Sequence, residues 1–135
     1  MSKEEELKKE IGIGVSLKYL DQVAYKSIKK AGAEPAFLGY RPEGAEHSFP
    51  YTVCASLNDV IVHGRPSDYK LKSGDILKID CGVKYKNYYS DSAFTFIIDK
   101  IPKETEKLVK ATYLALEEGI KQTRAGNRLS DIGWA

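Results

Sequence analysis

The chain has 135 residues, 42% of them hydrophobic and 30% charged, which suits one domain with a real core and excludes an intrinsically disordered segment. Its 21 basic and 19 acidic residues leave a net charge of +2, so no broad electrostatic pull on nucleic acid or anionic lipid is expected. The charged opening MSKEEELKKE offers no apolar signal segment, and no later run reaches membrane-spanning length. The expectation is a soluble, cytoplasmic protein with neither nucleic acid nor membrane as partner.

In chain order, residues 1–14 form a charged N-terminal segment whose stretch 3–10 reads as a solvated helical start or a frayed terminus. An amphipathic helix follows, with Ser16 as its cap. Leu17, Leu20, Val23, Ala24, Ile28 and Ala31 recur at helical spacing, and Gly32 stands where a left-handed cap is wanted. From 34 to 50 the residues Pro35, Gly39, Pro42, Gly44 and Pro50 break any regular run. This loop still holds Phe37, Leu38, Tyr40 and Phe49, rings and aliphatic bulk that cover a core edge or wall an apolar pocket.

Strands are expected over 51–57 and 60–63, around a turn at Asn58–Asp59. After the turn Ser73–Gly74–Asp75 come longer strands over 76–84 and 88–98. Pro102 opens a second helix with Leu108, Val109, Ala111, Ala115, Leu116 and Ile120 on one face. Gly126 lies past its end, and Asn127 is the expected cap of a third helix over 128–135. Cys54 and Cys81 lack a C-x-x-C spacing and read as small apolar residues.

The residues that stand out are Asp80 and Asp91, on the two long strands. A two-residue turn at 85–86 would set them directly opposite each other, with Cβ atoms roughly 5 Å apart. Moving the turn to Lys86–Asn87 shifts the pairing by two and keeps both on one face, whereas a three-residue loop would separate them. Like charges so placed persist if a cation lies between them or if one is protonated. A divalent ion suits the first case, and the alternative is two solvated acids. His63 falls at a strand end entering the turn Gly64–Arg65–Pro66, a common place for functional side chains, although a structural histidine is equally compatible with it. His47 is expected to be merely exposed. Asp59, Asp68, Asp75 and Asp99 adjoin turn signals, where Asp bonds local backbone, and receive no chemistry.

The run Val53–Cys54–Ala55–Ser56–Leu57–Asn58–Asp59–Val60–Ile61–Val62–His63–Gly64–Arg65–Pro66, then Gly74–Asp75–Ile76, Ile79–Asp80, Ser90–Asp91 and Thr95–Phe96, resembles the methionine aminopeptidases, most closely their bacterial type I branch. The resemblance covers residues 15–135. It implies an α+β fold, half of a pita-bread fold with an antiparallel curved sheet and helices on one face, and a dinuclear metal site using two divalent ions of Mn, Fe, Co or Zn. It further implies that Asp80 and Asp91 are the first two metal ligands, with Asp91 bridging both ions. His63 would contact the substrate near the scissile amide. Tyr40 and Phe49, with Phe37, would wall the pocket for the methionine side chain, interrupted by the insertion-like residues 41–48.

In the family one further His and two Glu ligands come from the second half of the fold, the general acid/base carboxylate among these groups, and the resemblance implies that they would lie downstream of Ala135. The expectation is therefore the N-terminal half of an enzyme that removes initiator methionine from nascent polypeptide N-termini. Alone, this chain would bind metal weakly and show little or no activity. Two alternatives are an Xaa-Pro peptidase of the same fold, and a non-enzymatic or homodimerising half-fold.

Overall fold

A computed structural model describes residues 8–135; the part of the expected charged start at 1–7 lies outside the described residues. Two compact units divide the chain after Lys100.

In the first unit, residues 8–10 are helical and lead to α1 (Leu17–Lys30). The Ser16 hydroxyl accepts the Tyr19 N–H at 3.2 Å, which satisfies an otherwise orphaned helix donor as expected. Leu17, Leu20 and Ala24 face inward and meet Val53, Ala55, Leu71, Leu77, Ile79 and Ile98 in one core. The sheet comprises β1 (Glu34–Pro35), β2 (Cys54–Leu57), β3 (Ile76–Tyr85) and β4 (Tyr88–Ile97). All pairings are antiparallel, and β3 is the hub. One of its edges pairs with β4 along the whole length. The other receives β2 at residues 77–80 and β1 at 83–84.

The period-2 alternation of β3 follows from this packing. Leu77 and Ile79 are buried against α1, so Lys78, Asp80 and Gly82 project from the opposite face.

Three strand expectations are corrected. The first was a strand over 51–57, which begins only at Cys54. Before it, the Thr52 and Val53 N–H groups donate to the Asp21 carboxylate at 2.7 and 3.0 Å, leaving no ladder role for those donors. The second was a strand over 60–63. Val60, Ile61 and Val62 are exposed and form no strand: the Val60 N–H closes a turn onto the Leu57 carbonyl at 3.0 Å, and the next bonds to β2 are those of Gly64 with Ala55 and Ser56. The third concerns 34–50, read as loop throughout: its start forms β1, and the ladder continues through Ala36, whose N–H donates to the Gly82 carbonyl at 2.9 Å.

The second unit comprises α2 (Lys103–Gln122) and α3 (Leu129–Trp134). Ile132 of α3 lies within contact reach of Gly119, the buried residue of α2. The apolar residues Leu108, Leu116 and Ile120, expected to share a helix face, are exposed. Asn127 does not cap α3. Its amide donates to the Gln122 carbonyl, and the Asp131 carboxylate accepts the Arg128 N–H at 2.7 Å instead. None of the described helices is long and apolar enough to cross a membrane.

Candidate metal centre and pocket

The hairpin β3–β4 turns at Lys86–Asn87, with φ values of 47° and 66° and Tyr85 opposite Tyr88. Left-handed conformations at both central residues are what a two-residue hairpin turn requires to match strand twist, and Asn tolerates them well. The direct pairing of Asp80 with Asp91 is therefore corrected by two residues: Asp91 lies opposite Gly82, and Asp80 opposite Ala93. Both acids remain on the face away from α1 as diagonal neighbours, since a shift of two preserves the face.

The diagonal is short enough for the carboxylates to interact. Burial, a hydrogen bond with Asp91 and the Asp91 charge together push the Asp80 carboxyl up to about 6, and the charge of His63 works the other way. Cys54, on β2, sits directly opposite Asp80. Burial raises its thiol to about 11, and the negative field of Asp80 and Asp91 adds to that. The cysteine is thus a neutral, non-nucleophilic thiol at neutral pH, consistent with the small apolar residue expected. No disulfide joins it to Cys81.

His63 reaches this face by a constrained route. The Ala55 N–H donates to the Gly64 carbonyl at 2.8 Å, and the Gly64 N–H donates to the Ser56 hydroxyl at 3.0 Å. A Cβ at Gly64 would overlap the Ala55 carbonyl and the Ser56 backbone, so glycine is needed for this close approach. His63 itself adopts φ 57°, a left-handed conformation that costs energy in a non-glycine residue and marks functional sites more often than ordinary loops.

The aromatic residues come together in one cavity. A pocket of about 420 Å³ is lined by Phe37, Tyr40 and Phe49 together with His63, Asp80 and Asp91. Phe37 is seated against β3 because Gly82 lacks a side chain: a Cβ there would overlap the Phe37 ring. Phe49 packs edge-on against Tyr51, with ring centres 5.9 Å apart. Sequence reasoning missed five lining residues of the same pocket: Pro42, Ala45, His47, Cys54 and Arg65. Placing His47 and Arg65 requires the path of the loop, which no local pattern encodes. His47 is exposed as expected, but it is exposed into this pocket.

Elsewhere on the sheet, Asp75 is buried and fully engaged. It accepts from the Asn58 amide at 3.0 Å, the Tyr69 hydroxyl at 3.0 Å and the Lys72 N–H at 2.8 Å. Burial alone would raise its carboxyl, but these donors and the Lys72 charge hold it below the ordinary value.

Residues 4–135 match metallopeptidase family M24. The chain belongs to this family. It is 43% identical over 131 residues to methionine aminopeptidase 1 of Bacillus subtilis, covering 97% of this chain and 50% of that protein. It is 42% identical to the methionine aminopeptidase of Borreliella burgdorferi, covering 96% and 49%. The crystal structure of methionine aminopeptidase from Rickettsia prowazekii superposes with a TM-score of 0.90 at 30% identity, over 98% of this chain and 51% of that one. Prolidase from Pyrococcus furiosus shares the fold, with a TM-score of 0.79 at 17% identity, over 96% of this chain and 35% of that one. The fold is that of the pita-bread aminopeptidases, and this chain spans about half the length of the curated relatives it matches.

Membership of M24 implies the use of divalent metal, and the residues here fit that role in part. Two hard oxygen donors share a face, burial and the neighbouring Asp91 together hold Asp80 toward its neutral form, and a dication would offset both effects. Among the described residues, however, no three His, Cys, Asp or Glu side chains gather into a ligand set.

Proposed function

We propose that this chain forms the part of a methionine aminopeptidase that carries two metal-binding carboxylates, Asp80 and Asp91, and the pocket for the N-terminal methionine of a nascent polypeptide. The observation that carries the reading is the pairing of a mutually repelling carboxylate couple with an aromatic-walled pocket in one cavity. The similarity to methionine aminopeptidases at 40–43% identity supports it over Xaa-Pro specificity, because X-Pro and prolidase structures at 17–22% share only the fold.

A divalent ion held by the pair would supply a nucleophilic water at neutral pH and polarise the peptide carbonyl. The residues of the chain do the rest. Phe37, Tyr40 and Phe49 take the apolar side chain and exclude water from it. His63 is held rigidly by the Gly64 contacts and offers an imidazole N–H to the scissile amide or to the oxyanion that develops from it. Mn, Fe, Co and Zn are all compatible with carboxylate donors. With two carboxylates on the face among the described residues and no larger ligand set there, the chain alone binds metal weakly and turns over little or no substrate, since transition-metal sites use four or more ligands.

The test is methionine release from Met-Ala-Ser, with Leu-Ala-Ser and an X-Pro peptide as controls, in the presence of Mn²⁺. The chain alone is expected to give no detectable release. A protein carrying this chain together with the remainder of an M24 domain should release methionine only, and should lose that activity in Asp91→Asn. Faster cleavage of the X-Pro peptide, or methionine release that survives Asp91→Asn, would overturn the reading.

A further inference from the structure

The same pocket carries a guanidinium and an imidazole, those of Arg65 and His47, that the proposed chemistry leaves unused. Arg65 follows the pinned Gly64 and precedes the fully buried Pro66, so its backbone is fixed on both sides. Its side chain lines the pocket, yet its guanidinium makes no hydrogen bond or ion pair among the described residues. A guanidinium offers five donors in a planar fork that matches a carboxylate. Leaving all of them to solvent at the wall of a cavity points to a ligand that brings its own acceptors.

His47 lines the same cavity, two residues before Phe49. The loop that holds it is closed at its base: the Gly39 N–H donates to the Phe49 carbonyl, and the Phe49 N–H to the Tyr40 carbonyl, each at 2.8 Å. Inside the loop the Arg41 side chain donates to the Ala45 carbonyl at 2.9 Å. His47 is therefore presented by a braced loop. It too has no hydrogen-bonding partner among the described residues. No ion pair links either residue to Asp80 or Asp91; the charged groups acting on Asp80 are Asp91 and His63. One cavity thus holds an acidic part, an aromatic wall and an uncommitted basic part.

We propose that Arg65 and His47 form an anion-recognising rim, so that the pocket prefers peptides bearing a carboxylate within a few residues of an apolar N-terminal side chain. The inference deepens the methionine-pocket reading and rests on it for the apolar part of the ligand. Electrostatic attraction adds on-rate and selectivity at such a rim, and the fork of Arg65 fixes the orientation of the incoming chain.

The experiment titrates the full chain with three C-terminally amidated peptides, Met-Ala-Asp, Met-Ala-Ser and Gly-Ala-Asp, following amide chemical shifts at low ionic strength. Met-Ala-Asp is expected to bind about fivefold more tightly than Met-Ala-Ser, the effect of one well-oriented exposed ion pair. Arg65→Gln should remove that preference, Arg65→Lys should keep part of it, and His47→Gln should reduce it. Raising the salt to about 0.5 M should also erase it, because the pair is open to solvent. Equal affinity for the two Met peptides, or a preference unchanged in Arg65→Gln, would overturn the rim. Equal binding of Met-Ala-Asp and Gly-Ala-Asp, with the acid preference intact, would overturn the methionine pocket and leave the rim standing. Binding of none of the three would overturn both.

Discussion

Two carboxylates five positions apart on one stretch of chain have opposite fates. Asp75, just before β3, is buried and surrounded by donors from Asn58, Tyr69 and the Lys72 backbone, and its carboxyl is held below the ordinary value. Asp80, in mid-strand, is half-buried with another acid as its hydrogen-bonding neighbour, and its carboxyl is pushed up to about 6. The fold surrounds the first with donors and gives the second a like-charged partner. A carboxylate that the protein's own donors neutralise is structural; one that it leaves short of a cation is available for chemistry.

The largest test of this contrast is Asp75→Ala. It strands the Asn58 and Tyr69 side-chain donors and one backbone N–H, and should cost about 3 kcal/mol of stability in chemical denaturation. Gly82→Ala comes next, because its Cβ overlaps the Phe37 ring. It should cost about 1–2 kcal/mol through overpacking, and its sharper signature is a weakened affinity for Met peptides as Phe37 leaves the pocket wall.

Asp80→Asn is the smallest change and has the opposite sign. Removing the repulsion should stabilise the metal-free chain at neutral pH by about 1 kcal/mol, a figure reduced for solvent screening at this half-buried position. A stability loss in Asp80→Asn comparable to that in Asp75→Ala would erase the distinction between the two sites.

The pH dependence separates the same two residues. The folded Asp80 binds its proton more tightly than the unfolded chain does, so its contribution to stability is present at low pH and is lost as pH rises from about 4 to about 6. Asp75 has a depressed folded value, so its contribution is present above about 4 and is lost as pH falls below that. Thermal unfolding across pH 3 to 7 should show both limbs. Asp80→Asn should flatten the upper limb only, and Asp75→Asn the lower limb only.

Much of the open site was legible in the sequence because its key property is a parity. Asp80 and Asp91 stay on one face whether the hairpin turns at 85–86 or at 86–87, and only an odd shift would part them. The register itself was not legible: Tyr85–Lys86–Asn87 contains no glycine to mark which two residues take the left-handed conformation. The apolar run Val60–Ile61–Val62 has strand composition but stays exposed and outside the sheet, since pairing is a tertiary fact. Asp75 was read as a turn residue bonding local backbone, and it does accept the Lys72 N–H. Its bonds to Asn58 and Tyr69 come from other parts of the fold. The excess of rings in the loop fitted a core cover or a pocket wall alike, and Phe37, Tyr40 and Phe49 line the cavity, whereas Arg65 and His47 entered it only through the path of the backbone.

The proposed role of Asp80 and Asp91 is to share a divalent cation. The most direct measurement is the unfolding temperature of the chain at pH 7, with and without millimolar Mn²⁺, for wild type, Asp80→Asn and Asp91→Asn. Mn²⁺ should raise the wild-type transition, since ligand bound to the folded state stabilises it by mass action, and should leave both variants unmoved. An equal rise in all three proteins, or none in the wild type, would contradict the account.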